Sequence, residues 1–224
     1  MTWPETRLGW VVDMLVPQRD KPESLDGPIP WVRIEDFAGQ YIGGSKSGQG
    51  VSVEQVARLN LRVFPAGTVL CSCSCTMGAT AIASSPLISN QTFIGLVPRE
   101  GVDSSYLAYL MEASRGRLQS QATGAIQQYL SKDDFRTMRI RMPPFDEQRR
   151  IADFLDAETA RLDRAIETRQ RQNAVELERW RRIVAQAVLE REGKSVPLKR
   201  LFEDSFAGVW GSEPGTDATD VLCA

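Results

Sequence analysis

Histidine is absent from the sequence, which removes the side chain that most often acts as general base or metal ligand near neutral pH. A histidine-based catalytic triad is excluded by composition alone. No apolar run reaches the roughly 18 residues that a membrane-spanning helix needs. The first ten residues lack the basic and then apolar order of a secretory signal. The expectation is a cytoplasmic protein with no membrane partner. Cysteine is scarce: Cys71, Cys73 and Cys75 alternate with Ser72 and Ser74, and Cys223 stands apart. Without histidines or C-x-x-C pairs, a zinc knuckle is not expected. Alternation puts the three thiols on one face of a strand and the serines on the other, which predicts a buried thiol stripe and no metal. An excess of charge of either sign is missing too. Residues 1–145 carry 14 Lys/Arg against 13 Asp/Glu, 146–192 carry 10 against 11, and 193–224 carry 3 against 5. No segment is a basic tail, so contact with nucleic acid should be weak for the chain alone and lean on partners for phosphate neutralisation.

The punctuation of residues 1–145 describes a mixed α/β domain. Residues 29–34 (IPWVRI) read as a strand, and residues 39–50 as a polar, glycine-rich loop. Ser52 is expected to cap a short helix through Leu61, and Pro65-Ala66-Gly67 to turn into a strand over 68–75. A strand over 92–97 ends at Pro98, and Ser104 is expected to cap a helix with Leu107, Leu110 and Met111 on its apolar stripe. Ser131 caps another, with Asp134 at the capping-box position. A last strand, 139–142, stops at Pro143-Pro144.

Beyond this point the texture changes. Residues 146–192 contain neither proline nor glycine, and apolar side chains recur at helical spacing. Ile166, Asn173, Trp180 and Ala187 share one heptad series, and Leu177 and Val184 another. At about 1.5 Å per residue this helix would reach roughly 70 Å, more than a 145-residue domain can cover, so a partner helix is expected. The fold class is α+β: a mixed α/β domain followed by a long coiled-coil-type helix. In the last segment, 193–224, Val196-Pro197-Leu198-Lys199-Arg200-Leu201 parallels Thr6-Arg7-Leu8-Gly9-Trp10-Val11 at an offset of 190, which also sets Val221-Leu222 on Trp31-Val32. These residues are expected to open a second, incomplete copy of the domain.

Several enzymatic patterns fail. Met142-Pro143-Pro144-Phe145 is similar to the proline-proline loop of amino-methyltransferases, but methionine at its first position cannot hydrogen-bond a target amine. Residues 39–47 lack the glycine directly before Lys46-Ser47 that a phosphate-binding loop needs. The carboxylate pairs Glu35-Asp36 and Asp133-Asp134 read as solvated faces or caps. No catalytic residue, cofactor or metal ligand is assigned.

An ordered set of short motifs remains. Ile29-Pro30-Trp31-Val32-Arg33-Ile34-Glu35-Asp36 is followed by Gly67-Thr68-Val69-Leu70, Ser89-Asn90-Gln91 and Thr123-Gly124-Ala125-Ile126-Gln127. The set closes on Pro143-Pro144-Phe145-Asp146-Glu147-Gln148-Arg149-Arg150-Ile151-Ala152-Asp153-Phe154-Leu155. This order and spacing resemble the specificity subunits of type I restriction–modification enzymes. The resemblance implies a non-catalytic subunit with two DNA target-recognition domains, each followed by a long helix, the helices packing as a spacer. It further implies double-stranded DNA, methyltransferase subunits and restriction subunits as partners. Only the opening of a second domain is present, so the chain is either a piece of a longer subunit or a half-subunit pairing with a second copy.

Residue types suited to base edges and phosphates mark candidate DNA contacts: Arg33; Ser45, Lys46, Ser47 and Gln49 of the glycine-rich loop; Ser72, Ser74 and Thr76; and the amide-rich group Gln119, Gln121, Thr123, Gln127 and Gln128. An ion pair of Arg33 with Glu35 or Asp36 is the alternative. Asn90 and Gln91 are expected to satisfy backbone at a strand start. For the partner interface the candidates are Glu147, Gln148, Ile151, Leu155, Leu162, Ile166, Asn173, Leu177, Trp180 and Val184. Glu147 and Gln148 suit the positive end of the helix dipole equally well. The rival to DNA reading is a fragment that only binds partner subunits through its helix.

Overall fold

The computed structural model describes residues 3–18, 22–74, 76–121 and 129–189. In chain order these form β1 (Glu5–Arg7), α1 (Leu8–Val11), β2 (Val12–Leu15), β3 (Ile29–Val32), a 3-10 turn (Ile34–Asp36), β4 (Tyr41–Ile42), β5 (Gly50–Val51) and α2 (Val53–Arg58). There follow β6 (Val69–Ser72), β7 (Thr80–Ala83), β8 (Ile88–Ser89), β9 (Phe93–Pro98), α3 (Ser104–Ala113), α4 (Arg115–Gln121), α5 (Lys132–Thr137), β10 (Arg139–Arg141) and α6 (Phe145–Leu189). The chain divides into two compact units at Asp163, within α6.

The main sheet has the order β2-β9-β6-β7-β4, antiparallel except for the parallel pair β7–β4. A three-stranded sheet, β5-β3-β8, and a two-stranded ribbon, β1-β10, complete the framework. β6 is covered on both faces. Val69 and Cys71 pack with Leu107 and Met111 of α3, while Leu70 packs with Phe64 and Phe93 on the other side. Strands enclosed on both faces read as continuous burial rather than alternation. That corrects the reading of the serines: Ser72 and Ser74 are interior, with the Ser72 hydroxyl donating to the Ser74 carbonyl at 2.8 Å. Neither is available to DNA at a surface. Gly95 of β9 leaves room for the Phe64 ring, since a Cβ there would lie 2.3 Å from it.

Local signals set the helix starts. The Ser52 hydroxyl accepts from the Gln55 N–H at 3.2 Å, and α2 ends at Arg58 because Asn60 turns into the left-handed region at φ 47. Ser131 and Asp134 form the expected reciprocal box. For α3 the cap is Asp103, not Ser104: Asp103 accepts from the Tyr106 N–H at 2.8 Å, while the Ser104 hydroxyl donates to the Gly67 carbonyl. The loop over 39–50 contains β4 and the start of β5.

At its start α6 is tied to the first unit by one fully buried amide. Gln148 Oε1 accepts from the Asp103 N–H at 2.9 Å, and its Nε2 donates to the carbonyls of Gly101 and Pro143 at 3.0 and 2.9 Å. Tyr109 of α3 adds a hydrogen bond from its hydroxyl to Asp156 at 2.6 Å. From Arg164 onward, α6 leaves Ile166, Val175, Leu177, Trp180, Ile183 and Val184 exposed. Among the described residues no helix is long and apolar enough to cross a membrane. The proposed repeat in 193–224 lies outside the described residues.

Candidate nucleic-acid interface

Asp36 organises the glycine-rich loop. Its carboxylate is buried and accepts from the Arg33 N–H at 2.7 Å, the Lys46 N–H at 2.7 Å and the Ser45 hydroxyl at 3.4 Å. Of the two readings given for Glu35-Asp36, Asp36 takes the cap: its carboxylate closes a capping box on the Arg33 N–H at the 3-10 turn and is buried rather than solvated. A carboxylate suits this position because backbone N–H groups otherwise left without partners cost about 1–3 kcal/mol each when buried. The loop closes on itself through the Gly48 N–H to the Ser45 carbonyl at 3.0 Å, with Gly48 at φ 69, where a side chain would be strained.

On this frame the structure gathers five of the expected DNA-contact residues. Arg33 donates to Gln49 Oε1 at 2.6 Å and pairs with Glu35 at 3.4 Å, so it has the expected ion pair with Glu35. Lys46 Nζ reaches the Glu35 carbonyl at 2.5 Å, and the Ser45 and Ser47 hydroxyls lie 3.0 Å apart. Lys46 and Ser47 are exposed; Arg33, Ser45 and Gln49 are half-buried. The cluster offers a guanidinium, an ammonium, two hydroxyls and an amide on one pre-shaped surface, the donor and acceptor types that meet base edges and phosphates.

A second, smaller group forms at the Met77 turn. Gln119, exposed on α4, donates to the Met77 carbonyl at 3.3 Å, and Thr76 is exposed on the same turn. The side chain of Gln121, together with Thr123, Gln127 and Gln128, lies outside the described residues. Asn90 behaves as expected at a strand start: its Oδ1 accepts from the Thr92 N–H and hydroxyl.

The partner-interface candidates separate into two sets. Gln148 is turned inward, so it holds the helix to its own domain rather than meeting a partner. Glu147 pairs with Arg150, and Ile151 and Leu155 are half-buried. Leu162, Ile166, Asn173, Leu177, Trp180 and Val184 are all exposed, Trp180 with 61% of its surface open.

Two further features are unlike a DNA contact. A groove of about 370 Å³ between α3 and α6 is lined by Glu112, Asp156 and Asp163, which disfavours a polyanion. Cys71 and Cys73 are free and buried, and burial pushes the Cys73 thiol up to about 12 and Cys71 well above its usual range. Thiols so raised are inert at neutral pH.

Comparison with known proteins gives a consistent result. Residues 3–177 match the family described as type I restriction modification DNA specificity domain. The chain is similar to the type I restriction enzyme MjaIX specificity subunit of Methanocaldococcus jannaschii, with 31% identity over 171 residues, 75% of this chain and 39% of that one. Its fold is similar to a structure described as the basis of complex assembly and conformational transition in the type I R-M system. There the TM-score is 0.67 and the identity 24%, over 84% of this chain and 45% of the other. It is also similar to the HsdS subunit of Thermoanaerobacter tengcongensis, with TM-score 0.59 and 25% identity over 73% and 39% of the two chains. The chain spans less than half the length of each of these relatives.

Proposed function

The chain belongs to the family of type I restriction modification DNA specificity domains, and from that premise we propose that it reads one half of a split DNA target for a modification and restriction complex. In this reading residues 1–145 form the recognition domain and 146–192 the spacer helix, while 193–224 open a second recognition unit. The chain performs no chemistry itself; methyltransferase subunits act with S-adenosylmethionine at the site it selects, and restriction subunits join them. The observation that carries the reading is the Asp36-anchored cluster of Arg33, Ser45, Lys46, Ser47 and Gln49, a set of donors and acceptors held together by hydrogen bonds. Thr76 and Gln119, with Gln121, Thr123, Gln127 and Gln128, extend the set of candidate contacts. The exposed stripe of Leu162, Ile166, Leu177, Trp180 and Val184, with Asn173, serves a partner helix, from a second recognition half or a second copy.

The experiment is methylation of random-sequence DNA by this chain co-expressed with its methyltransferase subunit. A defined split motif is expected, and a palindromic one marks two copies joined through the helix. A stable complex that methylates nothing, or methylates without sequence preference, overturns the DNA-reading role in favour of assembly alone.

A further inference from the structure

The β1–β10 ribbon carries a concentration of positive charge that the near-neutral balance of residues 1–145 conceals. The burial pattern of both strands turns Glu5, Arg7, Arg139 and Arg141 to solvent. In the antiparallel register Arg7 lies directly across from Arg139, and Glu5 across from Arg141. Arg139 is bridged to Glu5 at 3.1 Å. Arg117 of α4 reaches over the same strand, donating to the Arg139 carbonyl at 2.9 Å. Among the described residues no ion pair involves Arg7, Arg117 or Arg141. Like charges directly opposed across a ribbon are destabilising, and an anion on the ribbon would reverse the sign of that effect. The Arg7 guanidinium is also ordered in advance: it sits 5.6 Å from the centroid of the Trp10 ring, and Trp10 is itself 66% exposed.

We infer that this ribbon is a phosphate-backbone contact surface for DNA, with Arg7, Arg117 and Arg141 as its phosphate ligands and Trp10 as the platform for Arg7. The inference rests on the DNA-reading role proposed above and adds to it a site that supplies affinity without sequence information. Alternate residues of a strand repeat on one face about every 7 Å, the scale of successive backbone phosphates, and the guanidinium fork matches phosphate in a bidentate way. An acidic protein surface is the competing partner. It is disfavoured because the outward face of both strands is entirely charged, whereas protein interfaces are built around an apolar centre.

The test uses the chain in complex with its methyltransferase subunits. Arg7→Gln, Arg117→Gln and Arg141→Gln are made singly and together, with Arg7→Lys as the charge-retaining control. Binding is measured over a salt series on a motif-bearing duplex and a scrambled one. The expected result is a loss of roughly tenfold per arginine on both duplexes at low salt. The slope of log K against log salt should become shallower by about one per arginine, Arg7→Lys should keep the wild-type slope, and the methylated motif should not change. Unchanged affinity and slope overturn the inference, as does weakened assembly with the methyltransferase while DNA binding by the assembled complex is intact. A wild-type complex without sequence preference whose salt slope still responds to these arginines would sink the DNA-reading role and leave the ribbon standing.

Discussion

Residues 3–163 and the stretch of α6 from Arg164 to Leu189 treat their apolar side chains in opposite ways. In the first, Phe64, Phe93, Phe135, Leu70, Leu96 and Met111 are fully buried, and interior polar groups such as Asp36, Ser72 and Gln148 have partners. In the second, Ile166, Leu177, Trp180 and Ile183 face solvent on a helix that is otherwise rich in charge, with pairs such as Glu167–Arg171 and Glu178–Arg181 along it. Such exposed pairs add little, about 0.3–0.5 kcal/mol each, and intrinsic propensity alone does not explain apolar residues in a heptad pattern. One region encloses a core of its own; the other leaves most of its apolar stripe open to solvent.

Breaking that contrast most strongly requires charge in the exposed stripe. Leu177→Asp combined with Trp180→Asp should abolish assembly, by 100-fold or more, because interface anchors contribute about 2 kcal/mol or more each. Thermal unfolding of residues 1–163 should be unaffected, and co-purification with partner subunits that survives the double change would show that the stripe lies outside the interface. Next in size is Gln148→Ala, which leaves the Asp103 N–H and two carbonyls unpaired in the interior. A cost of about 3 kcal/mol predicts a melting point lowered by about 6–12 °C, readable by calorimetry. Asp36→Asn turns an amide N–H toward one of the groups that now donate to the carboxylate. It should cost about 1.5–3 kcal/mol locally and open residues 43–50 to trypsin at Lys46, while cutting at the wild-type rate would mean that the loop does not depend on Asp36. The smallest effect is alkaline. Because folding raises Cys71 and Cys73 above the unfolded thiol value near 9, their stabilisation is complete below that pH and is lost as pH rises toward about 12. A urea midpoint that falls over this window, and falls less in Cys73→Ala, is the expected outcome.

What the sequence disclosed followed distance along the chain. The Ser131–Asp134 box, the Ser52 cap and the Pro143-Pro144 boundary before α6 are local signals, and all lie within a few residues of where they were expected. Asp103 and Ser104 are both capping types, so the α3 start was resolved only to one position. The cysteine and serine alternation placed Cys71 and Cys73 inside as they are, but misled for Ser72 and Ser74, because period two assumes one wet face and β6 has none. The pairing of β1 with β10 joins residues 134 apart, as in the Arg139–Glu5 contact, and no local pattern announces it. The cap at Asp36 is local and legible, but its grip on the loop is not, for the same reason: Ser45 and Lys46 arrive from nine and ten residues away.

The fastening of residues 45–48 separates shape from content. Asp36 grips a peptide nitrogen at Lys46, and Gly48 closes the turn through the carbonyl of Ser45, so two of the bonds that set the path of the main chain involve no side chain at 46, 47 or 49. Exchanging those three residues alters the chemistry displayed while keeping these two main-chain fastenings. A surface of that kind can change its preferences by single substitutions without passing through an unfolded ancestor.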